Sequence, residues 1–323
     1  MFRGAGAPGA EPPVYTGQTP LKRAERPRGE LLSVPRFEAV TLRSEPEIRL
    51  PALILSPPSE PEPPEPPNAR PGTRESGGAR LNTLPAVVLL HPEGKAGWLE
   101  TGEPGELARR ALAAGARVLL PDVRLRGELA ADWLCNTILW GRPEAGMAAH
   151  DVSKCVDYLW GRGDVDRRRV AVVGVGDQGI VALLAAGLDE RITAVAADCG
   201  DTTYRDGGEG LPVIPNLLRV ADTPQLAALV APRPTLLFRV PPDRAGFASL
   251  RYFDGARRAF QALGAEPALT LRTTTDDPLP AVQAWLEKQI AGWELVRKPT
   301  KAQQQKEAQK RERKQRQGKA ERK

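Results

Sequence analysis

The feature that most constrains the fold is the regular alternation of short apolar runs with longer helical segments. The apolar runs are "PAVVLLH", "RVLLPD", "RVAVVG", "ITAVAAD", "PTLLFRV" and "ALTLRT". Runs that are apolar at nearly every position are typical of strands covered on both faces. Strands that alternate with helices predict an α/β fold, with a mostly parallel central sheet and helices on both faces.

Two further β-rich runs precede this series. They are "FEAVTLRS" and "IRLPALIL", and the short "EPE" turn joins them. Strand-like runs separated by so short a connection are typical of a hairpin. We therefore expect an antiparallel hairpin at the N-terminal side of the parallel sheet.

The segments outside this pattern define the domain limits. Residues 1–35 mix Gly, Pro and charge without periodicity, and residues 56–80 form a Pro-Glu run followed by a Gly-rich stretch. We predict a disordered N-terminal extension at 1–35, one domain at 36–296 with a Pro-rich insertion at 56–80, and a disordered basic tail at 297–323.

The positive net charge is concentrated in this tail. Residues 301–323 contain ten Lys or Arg and three Glu, whereas the whole chain carries a net charge of +6. The remainder is therefore close to neutral. The tail could contact a polyanion weakly, through salt-sensitive phosphate interactions, but it has no aromatic residue on which bases could stack. A solubilising extension is the favoured interpretation.

Composition also bounds the compartment and the cofactors. No run approaches the roughly 18 apolar residues of a membrane span, and the N-terminus lacks the pattern of a secretory signal. We therefore predict a cytoplasmic protein without membrane contact. The cysteines, Cys135, Cys155 and Cys199, are scattered and odd in number, so neither a disulfide framework nor a metal site is expected. No cofactor is predicted.

The stretch from Val170 to Asp198 matches a dinucleotide-binding fingerprint. Gly174, Gly176 and Gly179 form G-x-G-x-x-G directly after a strand, and Asp198 ends the next strand, where it would hold ribose hydroxyls. The fingerprint belongs on the first strand of its unit, however, and here two buried strands and a hairpin come first. Dinucleotide binding therefore remains an alternative.

The order of the elements favours another interpretation. A hairpin, strand-helix units, a sharp mid-chain strand-to-helix turn and further strand-helix units form the α/β-hydrolase layout. From about Phe37 to Trp293 the chain resembles acetyl xylan esterase and dienelactone-hydrolase-like (prolyl-oligopeptidase-like) α/β-hydrolases. The resemblance rests on "PAVVLLHPEGKAG", "GRPEAGMAAHDVSKCVDYLWGRGDVDRRRVAVVGVGDQG", "ALLAAGLDERI" and "LAALVAPRPTLLF". It implies the α/β-hydrolase fold and esterase chemistry.

The resemblance also implies where a catalytic triad would lie. The family elbow, G-x-S-x-G-G, places the nucleophile at Gly176, and the acid falls near Asp243. The base should be a histidine after "ALTLRT", but the chain has no histidine beyond His150. Acyl transfer needs a nucleophile, a base and an orienting acid. We therefore expect a catalytic site that is not intact.

Three residues are weak substitutes for the missing groups. Asp177 could be a shifted carboxylate nucleophile, although a polar residue in the first helical turn is the simpler interpretation. Cys199 could be a thiol nucleophile, although a buried structural cysteine is commoner. His91, at the carboxyl edge of the sheet, could be a displaced base.

Binding groups could remain without the nucleophile. The amides of Asp177, Glu93 and Gly94 occupy positions where the α/β-hydrolase fold builds an oxyanion hole. We predict a noncatalytic α/β-hydrolase-fold protein that binds or scaffolds an unidentified small molecule or protein. An ester hydrolase with a rearranged active site and a dinucleotide-binding protein are the alternatives.

Overall fold

The structure is a computed structural model. It describes residues 35–57, 83–131, 134–200, 204–206, 211–240, 249–273 and 277–292. The predicted basic tail, nearly all of the N-terminal extension and most of the Pro-rich insertion lie outside these residues. The predictions made for those segments, and the exact domain limits, therefore remain predictions.

The described chain forms ten strands and eight α-helices. The strands are β1 (Arg36–Glu45), β2 (Ile48–Ser56), β3 (Leu84–Leu90), β4 (Leu99–Glu100), β5 (Glu103–Pro104), β6 (Arg117–Pro121), β7 (Val165–Gly174), β8 (Ala194–Asp198), β9 (Thr235–Phe238) and β10 (Leu269–Leu271). The helices are α1 (Glu106–Ala113), α2 (Leu134–Leu139), α3 (Glu144–Gly161), α4 (Gln178–Leu188), α5 (Thr223–Ala228), α6 (Ser249–Tyr252), α7 (Asp254–Ala262) and α8 (Leu279–Gly292). None of these helices combines the length and the apolar composition needed to cross a bilayer.

Eight of the strands form one mixed sheet in the order β1-β2-β6-β3-β7-β8-β9-β10. β1 and β2 are antiparallel, and β2 pairs antiparallel with β6. The pairings from β6 to β10 are parallel. Both the N-terminal hairpin and the mostly parallel sheet are thus confirmed.

Helices cover both faces of this sheet. One core lies between the sheet and α3, α4, α5 and α7. The other lies between the sheet and α1 and α8. This arrangement explains why the strands are apolar at nearly every position. Alternate side chains of β3, β7 and β8 enter opposite cores, so both faces of each strand are buried. The predicted helices on both faces are therefore confirmed.

One predicted helix is divided in two. The pattern "LRYFDGARRAFQALG" predicts a continuous helix, but α6 ends at Tyr252 and α7 begins at Asp254. Phe253 between them has non-helical dihedral angles, and its side chain is fully buried, as is that of Phe260. The interruption coincides with a fully buried aromatic ring, so burial of Phe253 outweighs the local helix propensity.

The topology fixes where a ligand can approach. From β3 the chain crosses outward to β6, and after β7 it proceeds toward the other edge through β8, β9 and β10. The direction therefore reverses between β3 and β7. In open α/β sheets the crevice at the carboxyl ends of such strands is the usual binding site. His91 follows β3, and Gly176 follows β7.

Close packing of α4 on the sheet gives a stability prediction. A Cβ added at Gly179 would lie 2.2 Å from the backbone oxygen of Asp198, whereas one added at Gly146 in α3 would meet nothing nearer than 3.8 Å. Gly179→Ala should lower the free energy of unfolding by about 3 kcal/mol through overpacking. Gly146→Ala should raise it by up to about 1 kcal/mol, because alanine favours helix. Urea unfolding measures both, and a Gly179→Ala variant as stable as wild type would contradict the packing.

Candidate functional site

The three glycines of the fingerprint form a tight strand-to-helix turn. Gly176 has φ +56°, in the left-handed region that glycine adopts without strain. A Cβ at Gly174 would lie 2.1 Å from the backbone oxygen of Gln178, and one at Gly179 would meet the backbone of Asp198. Local packing therefore accounts for glycine at all three positions, without any requirement for a phosphate.

The position predicted for the nucleophile, Gly176, lies against a neighbouring proline. A Cβ at Gly176 would lie 2.8 Å from Cγ of Pro92, which belongs to the loop after β3. Real Cβ atoms essentially never approach this closely. A serine side chain at this position would therefore need both a left-handed backbone and a shift of Pro92.

The carboxylate of Asp198 holds this turn from the side of β8. Its oxygens accept the N–H of Gly176 at 2.8 Å and the N–H of Gly200 at 2.9 Å. The guanidinium of Arg239, at the end of β9, lies 3.1 Å away. In a dinucleotide site the glycine-rich amides face phosphate. Here one of them faces a carboxylate, which disfavours the dinucleotide interpretation.

His91 lies on the opposite side of the turn, in the loop after β3. Its ring meets Trp98 edge to face at 5.4 Å between centroids. Burial lowers the pKa of His91, although Glu93 and Asp177 oppose the change. Burial thus favours the neutral form of the imidazole. Its Nδ1 accepts the N–H of Glu93 at 3.1 Å, so its proton is on Nε2.

The three backbone amides that the sequence predicts as oxyanion donors differ in their hydrogen-bond partners. The amide of Glu93 donates to the His91 ring, and the amide of Gly94 donates to the His91 carbonyl at 2.9 Å. In this conformation neither is available to a ligand. The amide of Asp177, in contrast, has no hydrogen-bond partner among the described residues.

The Asp177 side chain belongs to an ion-pair cluster. Its carboxylate contacts Nη2 of Arg126, and the same nitrogen lies 2.6 Å from Glu144. Burial raises the pKa of Glu144, and the nearby Asp177 carboxylate acts in the same direction. The Asp177 side chain is thus engaged by Arg126 rather than directed at an open nucleophile position.

A second ion-pair cluster fixes the loop that carries His91. The backbone N–H of Lys95 donates to Asp122 at 2.7 Å, and the N–H of Glu128 donates to the same carboxylate at 3.1 Å. The Lys95 ammonium contacts both Asp122 and Glu128. Burial alone would lower the pKa of Lys95, but these carboxylates raise it. Ion pairs and hydrogen bonds therefore hold the loops after β3 and β6 together.

The thiol of Cys199 is buried. The residue is 1% exposed, and burial raises the pKa of its thiol, with Asp198 contributing in the same direction. A nucleophilic cysteine needs a lowered pKa and access to substrate. The surroundings of Cys199 meet neither condition, which disfavours a nucleophilic role for this thiol.

A cavity of about 340 Å³ lies beside the turn. His91, Trp98, Gly176, Asp198 and Arg239 line it, together with the first residues of α1 and α8. Ligand pockets in proteins have volumes of roughly 300–1,000 Å³. The described residues contain no group of three or more His, Cys, Asp or Glu that could hold a metal ion.

Solved structures with the same architecture are hydrolases of several kinds. The structure of "a putative acetyl xylan esterase" from Bacteroides fragilis matches with a TM-score of 0.55 and 16% identity, over 76% of this chain and 68% of that chain. A CE15 glucuronoyl esterase from Teredinibacter turnerae matches with a TM-score of 0.52 and 16% identity, over 82% of this chain and 80% of that chain. The chain has the α/β-hydrolase fold.

Sequence comparison agrees with this fold over a shorter region. "Putative hydrolase YtaP" from Bacillus subtilis (strain 168) is 26% identical over 119 residues, which are 34% of this chain and 40% of that relative. No protein-family profile matches the chain. The resemblance to α/β-hydrolases predicted from the sequence is therefore confirmed at the level of the fold.

The α/β-hydrolase fold brings several of the predicted site residues together. Gly176, Asp198 and His91 line one cavity, whereas Asp177 faces Arg126 and Cys199 is buried. The predicted acid, Asp243, lies outside the described residues. Sequence reasoning missed Arg239 and Trp98. The position of Arg239 directly after "TLLF" was a usable signal, because strand ends meet at the carboxyl edge. No sequence signal indicated Trp98.

The contact between Gly176 and Pro92 gives a second prediction. Gly176→Ser should lower the free energy of unfolding by about 2–4 kcal/mol, from left-handed strain and from the clash. Adding Pro92→Ala should recover part of this loss, because it removes the atom that the new side chain would meet. Urea unfolding of both single variants and of the double variant measures the coupling.

Gly102→Ser is the matched control for that experiment. Gly102 has φ +85°, but a Cβ there would meet nothing within 4 Å. The loss of unfolding free energy in Gly102→Ser should therefore come from backbone strain alone. The Pro92→Ala substitution should not change this loss. Equal coupling of both serines to Pro92→Ala would contradict a local clash.

Burial of the thiols gives a third prediction. In a Cys135→Ser background, Cys155 and Cys199 should react with a thiol reagent only as slowly as the native protein opens, because both are buried and both have raised pKa values. Both should react rapidly in denaturant. Fast labelling of the native protein that Cys199→Ser abolishes would indicate an accessible nucleophile instead.

Proposed function

We propose that this chain is a noncatalytic α/β-hydrolase-fold protein that binds a small molecule in the cavity beside Gly176. The observation that carries the proposal is the contact between positions 176 and 92. A side chain at the nucleophile position would meet Pro92 at 2.8 Å. The position therefore lacks a hydroxyl and also lacks the space for one.

The surroundings of the turn support the same proposal. The amides of Glu93 and Gly94 are bonded to His91, and the Asp177 carboxylate is paired with Arg126. An oxyanion hole needs donors that are free to meet a developing charge. Among the predicted donors, the amide of Asp177 alone has no partner within the described residues.

Ester hydrolysis by a rearranged site is the second candidate. It is favoured by one observation, that His91 lines the same cavity as Gly176. A general base must offer a lone pair to the attacking group. The Nδ1 lone pair of His91 already accepts the N–H of Glu93. Catalysis by His91 would therefore require that hydrogen bond to break. This requirement ranks hydrolysis below binding.

An esterase assay separates the two candidates. We expect the purified full chain to hydrolyse p-nitrophenyl acetate no faster than its His91→Ala and Asp177→Ala variants, because neither side chain presents a free base or nucleophile to the cavity. The rate is followed by nitrophenolate absorbance against a buffer control. Hydrolysis above the control that is lost in His91→Ala would overturn the noncatalytic proposal.

The Gly176→Ser/Pro92→Ala variant extends that assay. It supplies a hydroxyl and removes the atom that opposes it, but the chain has no histidine beyond position 150 to serve as the base. We expect this variant to remain inactive. Activity that appears in it would mean that a group in the wild-type cavity already acts as a base.

A further inference from the structure

Two large apolar side chains project from the connection between α2 and α3. Leu139 is 80% exposed, and Trp140 is 65% exposed. A single exposed leucine is ordinary on a protein surface, whereas tryptophan is highly buried on average. Tryptophan is also enriched in protein–protein interfaces, where it often contributes much of the binding energy. The pair is therefore a candidate contact surface.

The backbone around Trp140 is fixed by the cap of α2. Gly141 has φ +67°, and its N–H donates to the carbonyl of Ile138 at 3.0 Å. The N–H of Arg142 donates to the carbonyl of Thr137 at 2.8 Å. These two hydrogen bonds and the left-handed glycine form a Schellman motif, which ends a helix at a defined residue. A hydrogen-bonded turn thus presents the indole, which lowers the entropic cost of a contact.

An open groove of about 480 Å³ lies beside this turn, and Gly141 forms part of its wall. Pro143, Gly146 and Met147, at the start of α3, also line it. A Cβ added at Gly146 would meet nothing nearer than Pro143, at 3.8 Å. The volume lies in the range of roughly 300–1,000 Å³ that holds ligand-sized groups. The groove therefore has room for a large side chain.

The walls of the groove suit an aromatic ring. The side chain of Arg142 lines the groove and is 53% exposed, and a guanidinium stacks favourably on an indole. The thioether of Met147 makes favourable contacts with ring edges. Arginine and methionine are both enriched in protein–protein interfaces. The groove thus offers the contacts that a tryptophan side chain requires.

The charged groups of this surface balance one another. Glu45 contacts both Arg142 and Arg124, and Arg124 also pairs with Asp151 at 2.9 Å. Hydrogen bonds from Arg142 and Arg124 lower the pKa of Glu45 to about 2, so its carboxylate is ionised at neutral pH. Two cations therefore face two anions. Two copies of this surface can approach each other without the like-charge repulsion that excludes unsuitable partners.

The projecting side chains and the groove lie side by side, as an interface between identical surfaces requires. We propose that this surface binds a second copy of the chain across a two-fold axis, with Trp140 of each copy in the groove of its partner. Leu139 covers the rim of the groove. The interface shares no lining residue with the cavity beside Gly176, so it does not depend on the proposed function.

The expected interface is small. Aromatic side chains bury about 150–250 Å² each, so two copies of Trp140 and Leu139, with the walls that they cover, give roughly 1,200 Å² in total. This area is near the lower limit for a specific interface. The dimer should therefore be reversible and should dissociate on dilution.

Sedimentation velocity of the full chain tests the dimer. Measurements at about 0.3 M NaCl screen contacts between exposed charges. We expect the sedimentation coefficient to change from that of a monomer to that of a dimer between roughly 1 and 100 μM chain, with no larger species. A monomer at every concentration, or open-ended association beyond a dimer, would overturn the proposal.

Two variants act on opposite sides of the contact. Trp140→Ala removes the projecting ring. Gly146→Met fills the groove without removing a native side chain, because position 146 is open and methionine favours helix. Each should weaken the dimer at least about tenfold. The controls are Leu188→Ala, at a side chain that is 78% exposed on α4, and Gly161→Met, at another open position of α3. Both controls should leave the dissociation constant unchanged.

A mixture of the two variants distinguishes this contact from general stickiness. The Trp140→Ala chain keeps an open groove, and the Gly146→Met chain keeps its ring, so a mixed dimer recovers one of the two contacts. We expect the mixture to contain more dimer than either variant alone at the same total concentration. A dimer that neither substitution weakens, one that Leu188→Ala weakens equally, or a mixture without this recovery would overturn the proposal.

Discussion

The contacts of the Asp198 carboxylate hold together the ends of three neighbouring strands, β7, β8 and β9. This single buried side chain accepts from the turn after β7 and from the residue that follows its own strand, and it pairs with the end of β9. Without it, two backbone amides and a guanidinium would lose their acceptor in a partly buried site, at a cost of several kcal/mol. One carboxylate thus joins the ends of β7, β8 and β9.

Close backbone packing accounts for the shape of the strand-to-helix turn. Gly174 and Gly179 are required because the backbone of α4 approaches β7 and β8 too closely for any side chain. The left-handed turn at Gly176 follows from this approach, since the chain must reverse within a few residues. The shape of this turn therefore follows from backbone contacts alone, whichever chemistry the site performs.

The sequence predicted the fold better than the site. Apolar runs such as Val170–Gly174 identify buried strands, because burial on both faces leaves a direct compositional signal. The contact between Pro92 and Gly176 could not be predicted, because it depends on the path of a loop that Lys95 fixes through Asp122. The composition also does not indicate that the backbone of Arg239 is left-handed, with φ +53°. The order of the elements predicts that Gly176 and His91 lie near one another. It does not predict the hydrogen bonds that engage the amides of the His91 loop.

Pro92 also limits which side chains position 176 can accommodate. A serine at position 176 would combine left-handed backbone strain with the Pro92 contact, so it would reduce the stability of the fold. The side chain that position 176 can hold thus depends on the residue at position 92, which lies in a different loop at the same edge of the sheet.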